Sequence, residues 1–119
     1  MKAALAIGLV GCATGRPWGA AVETPAVEHA RRIPIEVTRT GFVPDQVTVE
    51  HGEVATLVFT RTAERTCAKQ VIVELDAHRE VQRDLPLQRP VVVSLQFERA
   101  GELGFTCGMK MLGGTITVR

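Results

Sequence analysis

Four sulfur-bearing side chains stand out in this sequence of 119 residues because of their spacing. Cys107, Met109 and Met111 occupy alternate positions in the stretch FTCGMKMLGG, and Cys67 lies 40 residues upstream in RTAERTCAKQ. Thiolate and thioether sulfurs are soft donors, which select Cu(I) over hard cations such as Mg²⁺ and Ca²⁺. A structural zinc site fits less well, because it usually takes four Cys or His ligands. The four sulfurs could hold one Cu(I) ion or a pair of ions bridged by the thiolates.

Elements that could bring these residues together are predicted from residue 33 onward. Short apolar or alternating stretches, separated by turn signals rich in Gly and Pro, are typical of β-strands. No stretch has a convincing helical period, although residues 77–85 have room for one turn. Seven or eight strands at this spacing predict an all-β, antiparallel Greek-key β-sandwich, in which loops from distant strands cluster at the ends. The predicted strands cover residues 33–38, 46–50, 54–60, 70–75, 91–97, 102–106 and 115–118.

The strand before the methionines predicts where Cys107 points. Residues two apart share a face of a strand, so Leu103, Phe105 and Cys107 should all face the core, with Cys107 at the rim. We expect Gly108 to let the chain bend and the methionines of residues 109–111 to turn back toward the same spot. The connection that carries the upstream cysteine could then meet them at one end of the sandwich.

Four stretches of the chain resemble bacterial cupredoxin-like domains of copper-handling systems: GFVPDQVTVEHGEVATLVFTRT, TC, LPLQRPVVVSL and GELGFTCGMKMLGGTITV. The resemblance covers roughly residues 33–119, and its most specific parts are the isolated TC and the terminal CGMxM. It implies a cupredoxin β-sandwich and, for members with this sulfur set, Cu(I) binding and copper delivery. Carried over by position, Cys67 and Cys107 are the thiolate ligands, and Met109 and Met111 are the thioether ligands. A membrane copper transporter is the partner that we expect to receive the ion.

The histidines distinguish this chain from electron-transfer cupredoxins. Blue-copper carriers present two His, one Cys and a weak axial Met. No histidine follows Cys107, and Cys67 occupies the place where the first His would be expected. We therefore interpret His29, His51 and His78 as surface residues and expect a Cu(I)-holding domain; an electron-transfer cupredoxin is the alternative.

A structural β-sandwich with a Cys67–Cys107 disulfide is the other alternative. Closing a loop of about 40 residues would stabilise the fold by about 4 kcal/mol on the chain-entropy model. Such a disulfide has no need of Met109 and Met111, so we favour the metal site. The two ideas can coexist if oxidation to the disulfide switches binding off.

The first twelve residues, MKAALAIGLVGC, are typical of an export signal, with one positive charge followed by an apolar run too short to span a membrane. The tetrapeptide LVGC resembles a bacterial lipobox, which implies cleavage before Cys12 and lipidation of its sulfur. An ordinary signal cleaved after Ala13 and a misassigned start are the alternatives.

These features predict three parts of the chain. Residues 1–11 are expected to be a lipoprotein-type signal, residues 12–32 the lipidated cysteine and a flexible tether, and residues 33–119 the cupredoxin-like domain. The protein would then act outside the cytoplasm, in the periplasm or at the outer face of the membrane, and would contact the membrane through its lipid anchor.

Charge and motifs argue against several other classes of function. Lys and Arg total 14 against 13 Asp and Glu, and no run of like charge exceeds two residues, which disfavours nucleic acid or an anionic lipid surface as the main partner. No Ser-His-Asp set, paired-carboxylate motif, phosphate-binding glycine loop or H-E-x-x-H motif is present. Neither Cys67 nor Cys107 has a histidine nearby in sequence to act as a base. We therefore expect a binding protein, not an enzyme.

Overall fold

The computed structural model describes residues 18–27 and 29–119, which form two β-sheets around one hydrophobic core. Nowhere in these ranges is there an apolar helix of membrane-spanning length. The strands of the described residues are β1 (Ala20–Glu23), β2 (Arg31–Val37), β3 (Phe42–Val43), β4 (Gln46–Val49), β5 (Val54–Arg61), β6 (Gln70–Glu74), β7 (Glu80–Asp84), β8 (Pro90–Arg99), β9 (Gly101–Cys107) and β10 (Gly113–Val118).

Each sheet has five strands, and neighbouring strands often come from distant parts of the chain. The first sheet has the order β1-β8-β5-β2-β3, and the second has the order β4-β10-β9-β6-β7. The prediction of an all-β sandwich is confirmed. The ten strands of the described residues exceed the predicted seven or eight, and two pairs, β2–β5 and β4–β10, are parallel where the sequence predicts antiparallel pairing.

Two of the additional strands lie where the sequence gives a weak strand signal. β1 falls inside the predicted tether of residues 12–32, yet it pairs with β8, and the buried Ala21 donates its N–H to the Leu75 carbonyl at 2.7 Å. β7 falls inside residues 77–85 and alternates only between exposed and half-buried positions. Both are edge strands, in which few apolar side chains are needed, so their sequences carry little of the usual pattern.

Three phenylalanines join the two sheets below the predicted metal site. Phe42 from β3, Phe59 from β5 and Phe105 from β9 pack edge to face, with ring centroids 5.1 to 6.1 Å apart. This is a favoured geometry for aromatic pairs, and it fixes the rings relative to one another. Cys107 follows Phe105 by two residues on the same buried face, so the aromatic cluster forms the floor of the site.

Five connections meet at one end of the sandwich, which we call the sulfur end, and hydrogen bonds link several of them. The Thr66 hydroxyl donates to the Thr38 carbonyl at 3.1 Å, and the Leu85 N–H donates to the Lys69 carbonyl at 2.9 Å. The sulfur end comprises residues 38–41, 44–45, 62–69, 85–89 and 108–112, and the opposite end comprises residues 50–53 and 75–79, residue 100 and residue 119.

Candidate metal centre

The two cysteines meet at the sulfur end. Cys67 lies in the connection between β5 and β6, Cys107 is the last residue of β9, and their Sγ atoms are 3.9 Å apart. Both are free thiols, since this separation is nearly twice the length of an S–S bond. The topology therefore places two sulfurs, separated by 40 residues of chain, in direct contact.

Anchored neighbours fix the position of Cys67. Ala68 is completely buried, and its N–H donates to the Thr66 hydroxyl oxygen at 3.1 Å. The same hydroxyl donates to the Thr38 carbonyl in the next connection. Cys67 is held between these two residues and packs, half-buried, against the edge of the core.

The chain after β9 wraps around the sulfur of Cys107. The N–H groups of Met111 and Leu112 donate to its Sγ at 3.3 and 3.4 Å, while its own N–H donates to the Leu112 carbonyl at 3.0 Å. The Lys110 N–H donates to the Cys107 carbonyl at 2.9 Å, which closes a turn. The buried sulfur therefore accepts hydrogen bonds from the loop that carries the methionines, and this loop geometry favours a thiolate.

The bend in this loop begins at Gly108, as predicted, and a second residue continues it. Gly108 and Met109 form the turn that the hydrogen bond from the Lys110 N–H to the Cys107 carbonyl closes. Lys110 then has a left-handed backbone with φ of 60°, whereas Gly108 is not among the described residues with positive φ. Gly108 also provides room, because a Cβ atom there would come within 2.7 Å of the Gln70 Oε1 atom.

The two thiols differ in their acidity. Burial raises the pKa of Cys67, and its hydrogen bond and charge interaction with Cys107 raise it further. Burial also acts to raise the pKa of Cys107, but hydrogen bonds from the N–H groups of Leu112, Met111 and Met109 outweigh it, so the pKa of Cys107 is lowered. Cys107 is therefore the thiol that ionises first.

The two methionines lie on different sides of the loop, and both side chains are largely exposed, at 68% for Met109 and 69% for Met111. Met109 lines a groove of about 390 Å³ together with Cys67. Met111 lines a separate groove of about 290 Å³ together with Phe42 and Val43. The structure thus joins the two thiols, places one thioether in the groove that Cys67 lines, and leaves the other beside Phe42 of the aromatic floor.

The remaining predicted residues lie apart from these sulfurs. His29, His51 and His78 are exposed, as expected of surface residues. In the ranges 18–27 and 29–119, no group of three or more His, Cys, Asp and Glu side chains could hold a metal ion. The predicted signal (residues 1–11) and the lipidation residue Cys12 lie outside the described residues.

The backbone donors to Cys107 could not be read from the sequence. A hydrogen bond from a main-chain N–H depends on the course of the loop and not on the residue type. Leu112 offered the one available hint, because an apolar side chain in a tight turn between two glycine-rich stretches usually packs inward. It is indeed half-buried against the core.

The chain belongs to the family of cupredoxin-like domains, whose model matches residues 4–118, and the predicted family is thereby confirmed. Similar solved structures include an apo-form copper binding protein determined by NMR, with 28% sequence identity and a TM-score of 0.67 over 82% of this chain and 94% of that one. Among curated proteins, none matches this chain.

Two more distant structures share the fold. The metal binding domain of the Cu(I)-exporting P-type ATPase CopA from Streptococcus pneumoniae, determined with Cu(I), is 24% identical with a TM-score of 0.68 over 79% of this chain and 91% of that one. Auracyanin B is 12% identical with a TM-score of 0.63 over 85% of this chain and 97% of that one.

Proposed function

We propose that this protein is a copper chaperone or scavenger that binds Cu(I) through Cys67 and Cys107, with Met109 and Met111 as further ligands. The ion is its cargo, which it passes to a membrane copper transporter. The proposal is supported by the contact between two free thiols at the sulfur end and by the likeness to an apo copper binding protein. It describes binding and delivery, not catalysis.

The separation of 3.9 Å between the two Sγ atoms carries the proposal. Bonds of about 2.3 Å, the usual length of zinc–thiolate bonds, would meet at an angle of about 115° across this separation. That angle suits a three-coordinate ion and is far from the straight arrangement of two ligands alone. A third sulfur would complete such a site, and Met109 lines the same groove as Cys67.

The exposure of the methionines supports delivery as well as storage. A thioether is uncharged and binds Cu(I) less tightly than a thiolate, so it is the ligand that a competing sulfur replaces first. Met111, the methionine farther from Cys107 along the chain, is a suitable entry or exit ligand because its side chain is largely exposed. The two thiolates, one of them fully buried, would hold the ion in the meantime.

We further propose that the protein acts outside the cytoplasm, in the periplasm or on the outer face of the membrane, and is anchored there by lipid on Cys12. The lipobox-like tetrapeptide LVGC, residues 9–12, supports this location. An anchored carrier would remain near the transporter that it serves, which raises the effective concentration of one protein for the other. Mass spectrometry of the membrane fraction, with Cys12→Ser as the control, tests the anchor.

A competition titration of the reduced protein against a coloured Cu(I) chelator tests the binding. Cys67→Ser and Cys107→Ser should each lower Cu(I) affinity by more than the 10–100-fold that is typical when an outer-shell partner is lost, because each removes a direct ligand. Arg119→Ala, at the opposite end, should bind like the parent. Because Cys107 is buried, circular dichroism must show that its variant is folded, and the half-buried Cys67 provides the safer test. Parent-like Cu(I) affinity in a folded Cys107→Ser protein would refute the proposed chaperone function.

The contact between the thiols also suits the structural alternative, a disulfide-bonded sandwich. Counting reactive thiols under native conditions separates the two functions. In the full chain carrying Cys12→Ser, a metal carrier shows one readily reactive thiol, the half-buried Cys67, which Cu(I) protects, and a second thiol that reacts once the chain is denatured. A disulfide-bonded sandwich shows none and takes up no metal.

A further inference from the structure

Exposed basic side chains from four different connections collect at the sulfur end. They stand against two acidic side chains there, Asp45 and Glu64, and against Asp84, the last residue of β7 beside it, which leaves an excess of two positive charges. The five basic residues are Arg39, Arg65, Lys69, Arg89 and Lys110. No two are adjacent in sequence, and only folding brings them to one surface.

None of these five cations forms an ion pair within residues 18–27 and 29–119. One of the three acidic residues is already engaged, because Asp84 accepts a hydrogen bond from the Gln70 side chain at 3.0 Å. The basic groups are therefore free to meet charges on another molecule without first breaking a pair within this one.

The same end also exposes apolar side chains. Of the seven large apolar side chains that are exposed in the described residues, Leu87 (39% exposed), Met109 and Met111 lie at this end, and Val43 (56%) borders it as the last residue of β3. Loop 108–112 forms a ridge with a groove on each side, one lined by Cys67 and Met109 and the other by Val43 and Met111. Exposed apolar side chains together with charged groups are the usual composition of a protein-binding surface.

We infer that the sulfur end is the docking surface for an acidic face of a partner protein that presents its own sulfur ligands and takes the Cu(I). This inference rests on the proposed function. The basic groups lie at the same end as the exposed methionines, so an acidic partner attracted to them would be oriented with its ligands over loop 108–112. Opposite charges of this kind increase the rate of encounter and fix its orientation more than they increase affinity.

An acidic protein accounts for this surface better than an anionic membrane does. The exposed apolar side chains at this end include the two thioethers, and Cu(I) would leave them for another soft ligand. Lipid phosphates offer hard oxygen atoms and would not accept the ion. Two grooves beside a ridge also match separate protein side chains, whereas a lipid surface would not need them.

Transfer kinetics test the inference, using the full chain with Cys12→Ser loaded with Cu(I). The probes are two dye-labelled peptides with the same pair of cysteines, one flanked by Glu and the other by Lys. Stopped-flow fluorescence should show transfer to the Glu-flanked peptide about tenfold faster at low ionic strength, and about 1 M salt should abolish the difference. Equal rates for the two peptides at low salt would overturn the inference.

Matched charge reversals locate the effect. Arg39→Glu with Arg89→Glu should abolish or reverse the preference for the Glu-flanked peptide. The control, Arg32→Glu with Arg99→Glu, makes the same change in net charge away from the sulfur end and should leave most of the preference intact. Equal effects of the two pairs would mean that net charge, and not a docking surface, sets the rate.

Two further measurements separate this inference from the proposed function. Both double variants should bind Cu(I) as tightly as the parent in the competition titration, so a failure of metal binding is seen independently. Chemical shift mapping of the metal-free chain with the Glu-flanked peptide should show changes at residues 38–41, 85–89 and 108–112. Shifts elsewhere, or tighter binding to phosphatidylglycerol vesicles than to the peptide, would contradict an acidic protein partner.

Discussion

At the opposite end of the sandwich, charged side chains are paired with one another, whereas at the sulfur end the basic ones are not. Arg79 contacts Asp76 at 2.8 Å, and Arg119 contacts Glu50 at 2.7 Å. Arg31, at the start of β2, contacts Glu53 at 3.4 Å. At the sulfur end the exposed side chains include five cations that have no ion pair within the described residues, together with apolar groups, and two free thiols lie beneath them. The charged side chains of the opposite end pair with one another, whereas the cations and the exposed thioethers of the sulfur end remain available to other molecules.

Within the sulfur end itself, the residues that stabilise the fold differ from the exposed residues that are proposed to bind the metal. The part below the loop, which includes the buried Phe105 and Cys107 and the half-buried Gly114, is tightly packed, whereas the exposed methionines contribute little to the packing. Substitutions below the loop should therefore change stability, and substitutions in the loop should change metal binding. The following predictions test that division, from the largest expected effect to the smallest.

Gly114→Ala should cause the largest loss of stability. A Cβ atom there would lie 2.3 Å from the Phe105 Cζ atom and 2.6 Å from the Asp45 carbonyl oxygen, so the aromatic floor or the backbone must shift. Overpacking of this kind costs about 1–3 kcal/mol, and we expect a value near the top of that range. Gly108→Ala is the control, because its Cβ would meet only the movable Gln70 side chain. Urea denaturation measures the stability of both variants. Equal losses of stability would refute the claim that the aromatic floor is rigidly packed.

Met109→Leu and Met111→Leu should lower Cu(I) affinity with little change in stability. Leucine keeps the apolar volume but removes the thioether. We expect about a tenfold loss for Met109, or about 1.4 kcal/mol, and a smaller loss for Met111. Met109 is the more affected because it shares a groove with Cys67. Competition titration measures the affinities, and parent-like values for both variants would remove the thioethers from the proposed ligand set.

Arg119→Ala should change stability by less than about 1 kcal/mol, since the ion pair with Glu50 is exposed. Its Cu(I) affinity should equal that of the parent. Thermal unfolding and the same titration measure the two quantities. A clear loss of copper binding in this variant would show that the two ends are coupled.

Substitution of Asp76 should have the smallest effect, a change in the pH dependence of stability that is confined to acidic pH. Hydrogen bonds from the His78 N–H and the Arg79 side chain lower the pKa of Asp76 to about 2. Because the folded pKa lies below the unfolded value of 3.8, the carboxylate stabilises the fold above that value and loses this contribution as the pH falls toward 2. The difference in unfolding free energy between the parent and Asp76→Asn should therefore be constant at neutral pH and shrink between about pH 4 and 2. A difference that persists at pH 2 would contradict this.

The sequence predicts the position of the buried Cys107 sulfur better than the positions of the exposed methionine sulfurs. The alternation through Leu103 and Phe105 correctly orients Cys107, because the period of a strand fixes the face of each residue. Strand topology explains why Cys67 comes near it, since distant loops meet at the ends of such a sandwich. The expectation that Met109 and Met111 turn back toward one spot is met only for Met109, which shares a groove with Cys67, whereas Met111 lines the other groove. Their directions depend on a left-handed residue, Lys110, that is neither Gly nor Asn.

The charged surface could not be predicted from runs of residues in the sequence. Its basic groups are scattered among four connections, and a linear search for charge clusters finds none longer than two residues. β1 was missed for a related reason. Its role follows from pairing with β8, more than 70 residues away, and not from its own composition.

X-ray absorption spectroscopy of the Cu(I)-loaded chain with Cys12→Ser tests the central claim most directly, because it reports the atoms that bind the ion. We expect a first shell of three or more sulfur atoms at about 2.3 Å and no nitrogen or oxygen. Cys67→Ser should lose one of these sulfurs. A first shell dominated by nitrogen or oxygen, or one that is unchanged in Cys67→Ser, would contradict the proposed site.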